Sequence, residues 1–222
     1  PLTGDLKIFT RPCTANVAQF ETWRKPRGCS MAYILAVGGG AGGGGGLTGA
    51  AGSNRGGGSG GGSGAKTTLM IPLFLLPDIL YVQVGAGGLG VGSGGGTAGS
   101  GVLSFINVSP AATLNSSTVV VSGAAVPTGG VSGNTITPQF GGTGSTTAVM
   151  SGMQFGGLGV SHSLAGQTGA SGGAPAPGAA GADITLSTTG ICTQGGAGGG
   201  GASTVDTAGG GCTAIANNPL IS

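Results

Sequence analysis

Glycine comes in four long blocks instead of being spread evenly along the chain, and these blocks constrain the fold more than any other feature. They span Gly38–Gly64, Gly85–Gly101, Gly156–Gly181 and Gly195–Gly211. Glycine accounts for 56 of the 222 residues, whereas about 7% is usual in proteins. Glycine has no side chain to bury and loses the most backbone entropy on folding. Backbone groups must therefore supply much of the packing.

Two structures can order this much glycine, and both remain open at this point. One is a β-sandwich whose ends are closed by long glycine-rich loops, because glycine permits close approach of backbones. The other is a bundle of strands in the polyproline-II conformation, which has three residues per turn and no internal hydrogen bonds. Such strands can bond backbone to backbone and so satisfy their polar groups. Gly38–Gly46 and Gly195–Gly201 are the best candidates for this polyglycine-II-like packing.

Composition excludes several classes of protein. Charged residues are only 5% of the chain and the net charge is +2, so we expect no nucleic-acid partner. Collagen requires glycine at every third position together with abundant proline, and the glycine blocks here do not follow that pattern. A membrane span requires about 20 consecutive apolar residues. The longest apolar stretch, Leu69–Leu76, is shorter and contains Pro72, so we expect no membrane insertion.

Where apolar residues alternate, they do so with a period of two, which predicts an all-β fold with almost no helix. A turn is predicted at Lys25–Gly28 and an irregular apolar connection at Pro72–Pro77. The predicted strands are Leu6–Thr10, Ala18–Trp23, Met31–Val37, Thr67–Ile71, Ile79–Val84, Val102–Ile106, Thr118–Val121, Ala148–Met150 and Ile184–Ser187.

The chain divides by composition into two regions. Residues 1–110 hold most of the aromatic side chains, whose burial stabilises a fold, and are predicted to form a jelly-roll-like β-sandwich platform anchored by Trp23. Residues 111–222 are rich in Gly, Ser and Thr and are predicted to form short strands and loops packed on that platform. Within them, residues 130–211 are predicted to form exposed loops or glycine-strand packing at the distal end, as a contact surface suited to polar, saccharide-like partners.

No motif in the chain has the context that catalysis requires. Gly85–Gly90 fits the dinucleotide pattern G-x-G-x-x-G, but Val91-Gly92-Ser93-Gly94 cannot open the required helix, and no acidic residue follows before Asp183. Gly60–Thr67 resembles a phosphate-binding loop, but Ala65 replaces its glycine and no helix is expected to follow.

Catalytic side chains are equally scarce. The pattern G-x-S-x-G occurs at Gly57–Gly61 and Gly169–Gly173, but neither copy follows a convincing strand and the chain has a single histidine. The five carboxylates are far apart in sequence: Asp5, Glu21, Asp78, Asp183 and Asp206. We therefore expect no enzymatic activity, no catalytic residues and no cofactor.

Histidine and cysteine give little indication of a metal site. His162 could form an axial site in a trimer, but a packed or surface histidine is the favoured interpretation. The chain begins at Pro1, which fits removal of an initiator methionine, and no secretory signal follows, so cytoplasmic synthesis and reduced thiols are expected. The pairings Cys13–Cys29 and Cys192–Cys212 are conceivable after release into an oxidising medium, and the sequence does not choose among the three connectivities.

Several motifs together resemble the glycine-rich domain of tailed-bacteriophage virion proteins. The turn Thr22–Gly28 precedes the strand Met31–Val37, which runs into Gly38–Gly46. The segment Leu75-Leu76-Pro77 and then Val82–Gly88, which reads V-Q-V-G-A-G-G, follow in the family's order. The resemblance covers residues 8–106, about half of the chain, and rests on order and spacing as well as on composition.

This resemblance implies a virion structural protein of the tail-fibre, spike or adhesin type, often a homotrimer, which attaches to the host surface. The expected partners are other virion proteins and a bacterial surface glycan or outer-membrane protein. An alternative location is the capsid, as a head fibre, decoration protein or minor capsid subunit without a direct role in receptor binding. A basic cluster early in the chain is either a solvated face or a docking site for an acidic virion partner: Lys7, Arg11, Arg24, Lys25 and Arg27.

Overall fold

A computed structural model gives the fold of the chain. It describes residues 5–11, 20–48, 55–92, 96–110, 114, 118–123, 127–133, 139–144, 160–164, 168–169, 171–173, 184–185 and 212–213. In these ranges, no helix is long and apolar enough to cross a membrane.

The regular elements are short strands and a single turn of 3₁₀ helix. In chain order they are β1 (Phe20–Arg24), β2 (Met31–Val37), β3 (Lys66–Pro72), the 3₁₀ helix (Leu73–Leu75), β4 (Ile79–Gln83), β5 (Ser104–Asn107), β6 (Val119–Gly123), β7 (Val160–Leu164), β8 (Ile184–Thr185) and β9 (Cys212–Thr213).

The strands form two antiparallel sheets and one small parallel pair. The first sheet has the order β1-β4-β5-β6 and the second has the order β2-β3-β7. Along β2 and β3 the register runs from Met31 opposite Pro72 to Val37 opposite Lys66. The pair β8 and β9 is parallel and two residues long. The prediction of an all-β chain with almost no helix is thus confirmed for the described residues.

The apolar core takes side chains from both antiparallel sheets. The second sheet contributes Ala36, Leu69 and Ile71, and the first contributes Leu80 and the middle of β6. The complete core cluster is Ala36, Leu69, Ile71, Leu73, Leu76, Leu80, Val120 and Val121. Trp23 is partly buried against this cluster, which agrees with its predicted role as an anchor.

Most predicted strands occur with shifts of one or two residues at their ends. The predicted turn at Lys25–Gly28 is also present, and Gly28 has a positive φ of 84°, which glycine adopts without the steric cost of a Cβ atom. The predicted irregular connection Pro72–Pro77 contains the 3₁₀ helix. In it the Leu73 carbonyl accepts a hydrogen bond from the Leu76 amide at 3.1 Å. The predicted strand Ala148–Met150 lies outside the described residues.

One predicted strand is wrong. Residues Leu6–Thr10 form no strand, although Leu6 and Ile8 are two residues apart with Lys7 between them. Residues 5–11 make no backbone hydrogen bond to any other described part of the chain. A β-strand is stabilised by its ladder and by cross-strand pairs, so a segment with this spacing but without a partner strand has no sheet to join.

The two compositional regions share the same sheets. From residues 111–222, β6 forms an edge of the first sheet and β7 pairs with β3 in the second. The core also includes Val120 and Val121 of β6. Side chains from after residue 110 therefore take part in the same apolar core as β2, β3 and β4.

Candidate functional site

Seven glycine-rich segments lie next to one another beyond the ends of the strands and are joined by backbone hydrogen bonds. We number them in chain order, and together they form the glycine core. They are segments 1 (residues 38–47), 2 (56–65), 3 (85–92), 4 (96–102), 5 (127–133), 6 (139–144) and 7 (168–169 and 171–173).

Hydrogen bonds between segments 1 and 2 repeat every third residue. The amide of Gly38 donates to Ala65 at 2.9 Å, and the amide of Ala41 donates to Gly62 at 2.8 Å. The series continues as Gly44 to Ser59 and Leu47 to Gly56. The donor number rises by three as the acceptor number falls by three, so the two segments are antiparallel.

Segment 1 has further neighbours in other directions. Gly39 and Gly42 each follow a residue that is bonded to segment 2. Their amides donate to the Val102 and Gly99 carbonyls of segment 4. The carbonyl of Gly40 accepts from Gly88 of segment 3, and this contact also recurs three residues later. Segment 5 donates to segment 1 in the same way, from Gly130 to Gly42 and from Gly133 to Gly45.

A repeat of three residues differs from the repeat of two in a β-ladder. It is the repeat of the polyproline-II conformation, whose three residues per turn point in three directions. A strand of this kind bonds to neighbours all around it, whereas a β-strand bonds only to the left and right. Segment 1 has hydrogen-bonded neighbours in segments 2, 3, 4 and 5, which a flat sheet does not allow.

Glycine is required at every position of one phase of segment 1, whereas the phase that bonds to segment 2 accommodates the side chains of Ala41 and Leu47. A Cβ atom at Gly39, Gly42 or Gly45 would overlap a carbonyl group of segment 3. At the third phase, Gly40, Gly43 and Gly46 are exposed. A Cβ atom at these three positions would have no neighbour closer than 3.7 Å.

Serine and threonine hydroxyls add hydrogen bonds between segments. The Ser59 hydroxyl accepts from the Val131 amide at 2.8 Å and donates to the Val131 carbonyl at 3.2 Å. The Ser104 hydroxyl accepts from the Gly85 amide at 2.9 Å, where segment 3 leaves the first sheet. Serine is small enough for this packing and supplies one donor and two acceptor sites.

The catalytic motifs considered in the sequence have structural roles in the glycine core. Residues 85–90 lie in segment 3 and begin no helix, and Gly60–Thr67 runs directly into β3. Ser59, the serine of the Gly57–Gly61 pattern, is 2% exposed and its hydroxyl is bonded to Val131. The second pattern, Gly169–Gly173, lies partly outside the described residues.

Lys25 has a role that the sequence did not reveal. Its Nζ atom lies 2.9 Å from the Leu76 carbonyl and 3.4 Å from the Leu73 carbonyl, at the end of the 3₁₀ helix. It also lies 3.1 Å from the Asp78 carboxylate. A lysine satisfies terminal helical carbonyls in this way. The only signal in the sequence was the K-P-R-G turn, because the 3₁₀ helix lies about 50 residues further on.

The predicted metal and thiol residues are only partly described. His162 lies in β7, with its Cα atom opposite that of Thr68. Cys29 is half-buried against the core cluster, and Cys212 lies in β9. Cys13 and Cys192 lie outside the described residues, so their pairing stays a prediction. The described part of the chain contains no group of three or more His, Cys, Asp or Glu side chains that could hold a metal ion.

Two buried polar side chains on the first sheet lack hydrogen bonds. Among the residues that the structure describes, both polar atoms of the Asn107 side chain and the Gln83 Oε1 atom have no hydrogen-bond partner. Gln83 pairs with Phe105, and Asn107 lies opposite Tyr81, so Gln83 and Asn107 are diagonal neighbours on one face of the sheet. A buried polar group without a partner costs free energy, and these two are destabilising elements of the fold.

The outer face of β2 is apolar and exposed. Met31, Tyr33, Leu35 and Val37 alternate with Ala32, Ile34 and Ala36, which face the core. Opposite Tyr33 on β3 lies Met70, which is exposed as well. Beside β2 is a groove of about 1040 Å³, lined by side chains of both antiparallel sheets and by the segment Asp5–Phe9. The strand order places β2 at the edge of its sheet.

No family model matches the chain, and no curated protein matches its sequence.

Proposed function

We propose that this chain is a bacteriophage virion structural protein of the fibre or spike type that takes part in attachment to the host surface. The observation that carries the proposal is the glycine core, with its three-residue hydrogen-bond repeat between segments 1 and 2. We interpret the core as a polyglycine-II-like bundle and the two antiparallel sheets as the two layers of a sandwich platform.

A backbone bundle suits a protein that must be rigid outside a cell. Its stability comes from main-chain hydrogen bonds between neighbours that lie far apart in sequence, such as Gly57 to Gly173 and Gly62 to Thr128. The hydroxyls of Thr128 and Thr143 are exposed on segments 5 and 6, and hydroxyls in fixed positions suit the binding of sugars. The resemblance of residues 8–106 to the phage glycine-rich domain supports the same role.

The capsid-associated role is the second candidate. The observation that favours it is the apolar outer face of β2, because large exposed apolar patches mark protein–protein contacts. A head fibre, decoration protein or minor capsid subunit would bury this face permanently. In either role we propose that the protein assembles as a homo-oligomer, with three copies as the expected number, alongside other virion proteins.

One experiment separates the two candidates. Intact particles are decorated with an antibody raised against the purified chain and imaged by electron microscopy, and the purified chain is added in excess to an adsorption assay. Label on the tail together with inhibited adsorption supports the attachment role. Label on the head with unchanged adsorption supports the capsid role, and an absence of label on intact and opened particles contradicts both.

A further inference from the structure

We propose that residues 5–10 of one copy of this chain add as an extra strand to the open edge of β2 in a second copy. We call residues 5–10 the arm. The proposal rests on the proposed homo-oligomer and specifies the contact that would hold it together.

The first observation is that the arm has strand character but no strand partner. Leu6 and Ile8 are 82% and 68% exposed, and residues 5–11 make no backbone hydrogen bond to any described residue. Apolar side chains that alternate along an extended segment favour a half-buried strand. The arm therefore lacks only a sheet edge and an apolar surface.

The second observation is that β2 is an apolar strand with one unpaired edge in the described structure. In the described structure β2 pairs with β3 alone, and no backbone hydrogen bond joins its other edge to a described residue. Every residue of β2 is apolar, in the sequence MAYILAV, which is typical of a strand covered on both faces. Here one face is exposed, with Tyr33 at 70% and Leu35 at 55%.

The third observation is that the arm and β2 border the same groove. Leu6 and Ile8 line it together with Ile34 of β2 and Val82 and Ile106 of the first sheet. A strand added at the open edge of β2 would gain main-chain hydrogen bonds and direct alternate side chains into the groove, which is how extended peptides add to sheet edges. The charged groups that line the groove, Asp5 and Lys7, both belong to the arm and have opposite signs.

The surface area agrees with an interface between copies. Six side chains are concerned: Leu6, Ile8, Met31, Tyr33, Leu35 and Val37. At no more than about 200 Å² each, the value for an aromatic side chain, their exposed fractions amount to at most about 700 Å² per copy, of which about 300 Å² belongs to the arm and about 400 Å² to β2. This total approaches the roughly 800 Å² per partner of a standard interface where two copies exchange arms across one interface. Each copy would give one arm and receive one, so a closed assembly leaves no β2 edge unpaired.

The occupant of the β2 edge is a second copy because each chain's own arm leaves that edge unpaired. The arm lies at the mouth of the groove, where its side chains remain largely in solvent. A second copy brings the same arm to that edge. It also brings its own open β2 edge, so an assembly of identical chains has as many arms as receiving edges.

The test uses sedimentation velocity on the full chain and on three double variants. The arm variant is Leu6→Ser with Ile8→Ser, and the receiving variant is Tyr33→Ser with Leu35→Ser. The control is Lys7→Ser with Thr10→Ser, which changes the arm without removing Leu6 or Ile8. We expect the native chain and the control to sediment as oligomers, and the arm and receiving variants to associate at least tenfold more weakly.

Mixing the two defective variants makes the test specific. The arm variant keeps an intact β2 edge and the receiving variant keeps an intact arm, so their mixture should associate although neither does alone. An arm variant that still forms the native oligomer overturns this proposal and leaves the proposed homo-oligomer standing. A native chain that sediments as a monomer overturns both. Failure of the mixture to associate, with a loss of thermal stability in the monomeric arm variant, assigns the arm to its own β2 edge and contradicts exchange.

Discussion

Gly42 and Leu89 pack so closely that a Cβ atom at Gly42 would overlap the Leu89 carbonyl group, whereas a Cβ atom at the adjacent Gly43 would lie 3.7 Å from its nearest neighbour. Gly42 therefore has no room for a side chain, whereas the adjacent Gly43 has room for one. The difference comes from the three-residue repeat, in which Gly42 faces the interior of the glycine core and Gly43 faces solvent.

We expect Gly42→Ala to destabilise the protein and Gly43→Ala to be neutral or stabilising. Overpacking typically costs about 1–3 kcal/mol, and the atoms around Gly42 are backbone atoms that cannot change rotamer. Replacing glycine by alanine at a compatible position stabilises by about 0.4–1 kcal/mol, because it restricts the unfolded chain. The measurement is the midpoint of thermal unfolding for each variant. Equal shifts for the two variants would contradict the three-residue arrangement of segment 1.

The hydroxyl of Ser59 should contribute measurably to stability. Ser59→Ala removes the acceptor of the Val131 amide, and a buried donor left without a partner costs about 1–3 kcal/mol. Ser100, which is exposed in segment 4, provides the control as Ser100→Ala. Denaturant unfolding followed by Trp23 fluorescence measures both. A Ser59→Ala variant as stable as the control would show that this hydroxyl contributes nothing to the bundle.

Lys25 should contribute through the carbonyls that it binds more than through its ion pair. We expect Lys25→Met to cost about 1–3 kcal/mol, because the Leu76 and Leu73 carbonyls lose a charged donor. Asp78→Asn should cost less than about 1 kcal/mol, because the Asp78 side chain is 90% exposed and surface ion pairs are weak. Unfolding midpoints in low and high salt distinguish the two effects. A larger loss for Asp78→Asn than for Lys25→Met would reverse this assignment.

Segment 7 should be part of the folded scaffold, which corresponds to glycine-strand packing, one of the two alternatives predicted for residues 130–211. A Cβ atom at Gly172 would overlap the Gly57 carbonyl of segment 2, so Gly172→Ala should lower the unfolding midpoint. Ser171→Ala, one residue earlier, is the matched control. If both variants unfold like the native protein, segment 7 does not pack in the glycine core. Substitutions in segment 7 could then change adsorption without changing stability.

The sequence by itself determined the β class and most strand positions. Met31–Val37 occurs with the predicted ends, because a run of β-branched, aromatic and aliphatic residues between a turn and a glycine block has few alternatives. The turn at Gly28 could also be predicted, since it depends on residues close in sequence. The packing role of Trp23 could be predicted because it is the single tryptophan of a chain with few large side chains. The prediction that Gly38–Gly46 packs against other backbone also relied only on the absence of side chains.

Tertiary structure alone decided which segments are neighbours. Consecutive glycines are chemically identical, so only the hydrogen-bonded partners distinguish Gly42 from Gly43 and give each its phase in the three-residue repeat. The same reason explains the failure at Leu6–Thr10, whose residues Leu6 and Ile8 have the spacing of a strand but which has no partner strand in the described part of the chain. Lys25 binds carbonyls about 50 residues away, a contact that no local pattern encodes. Local sequence sets what a segment is able to form, and the availability of a partner in space decides whether it forms.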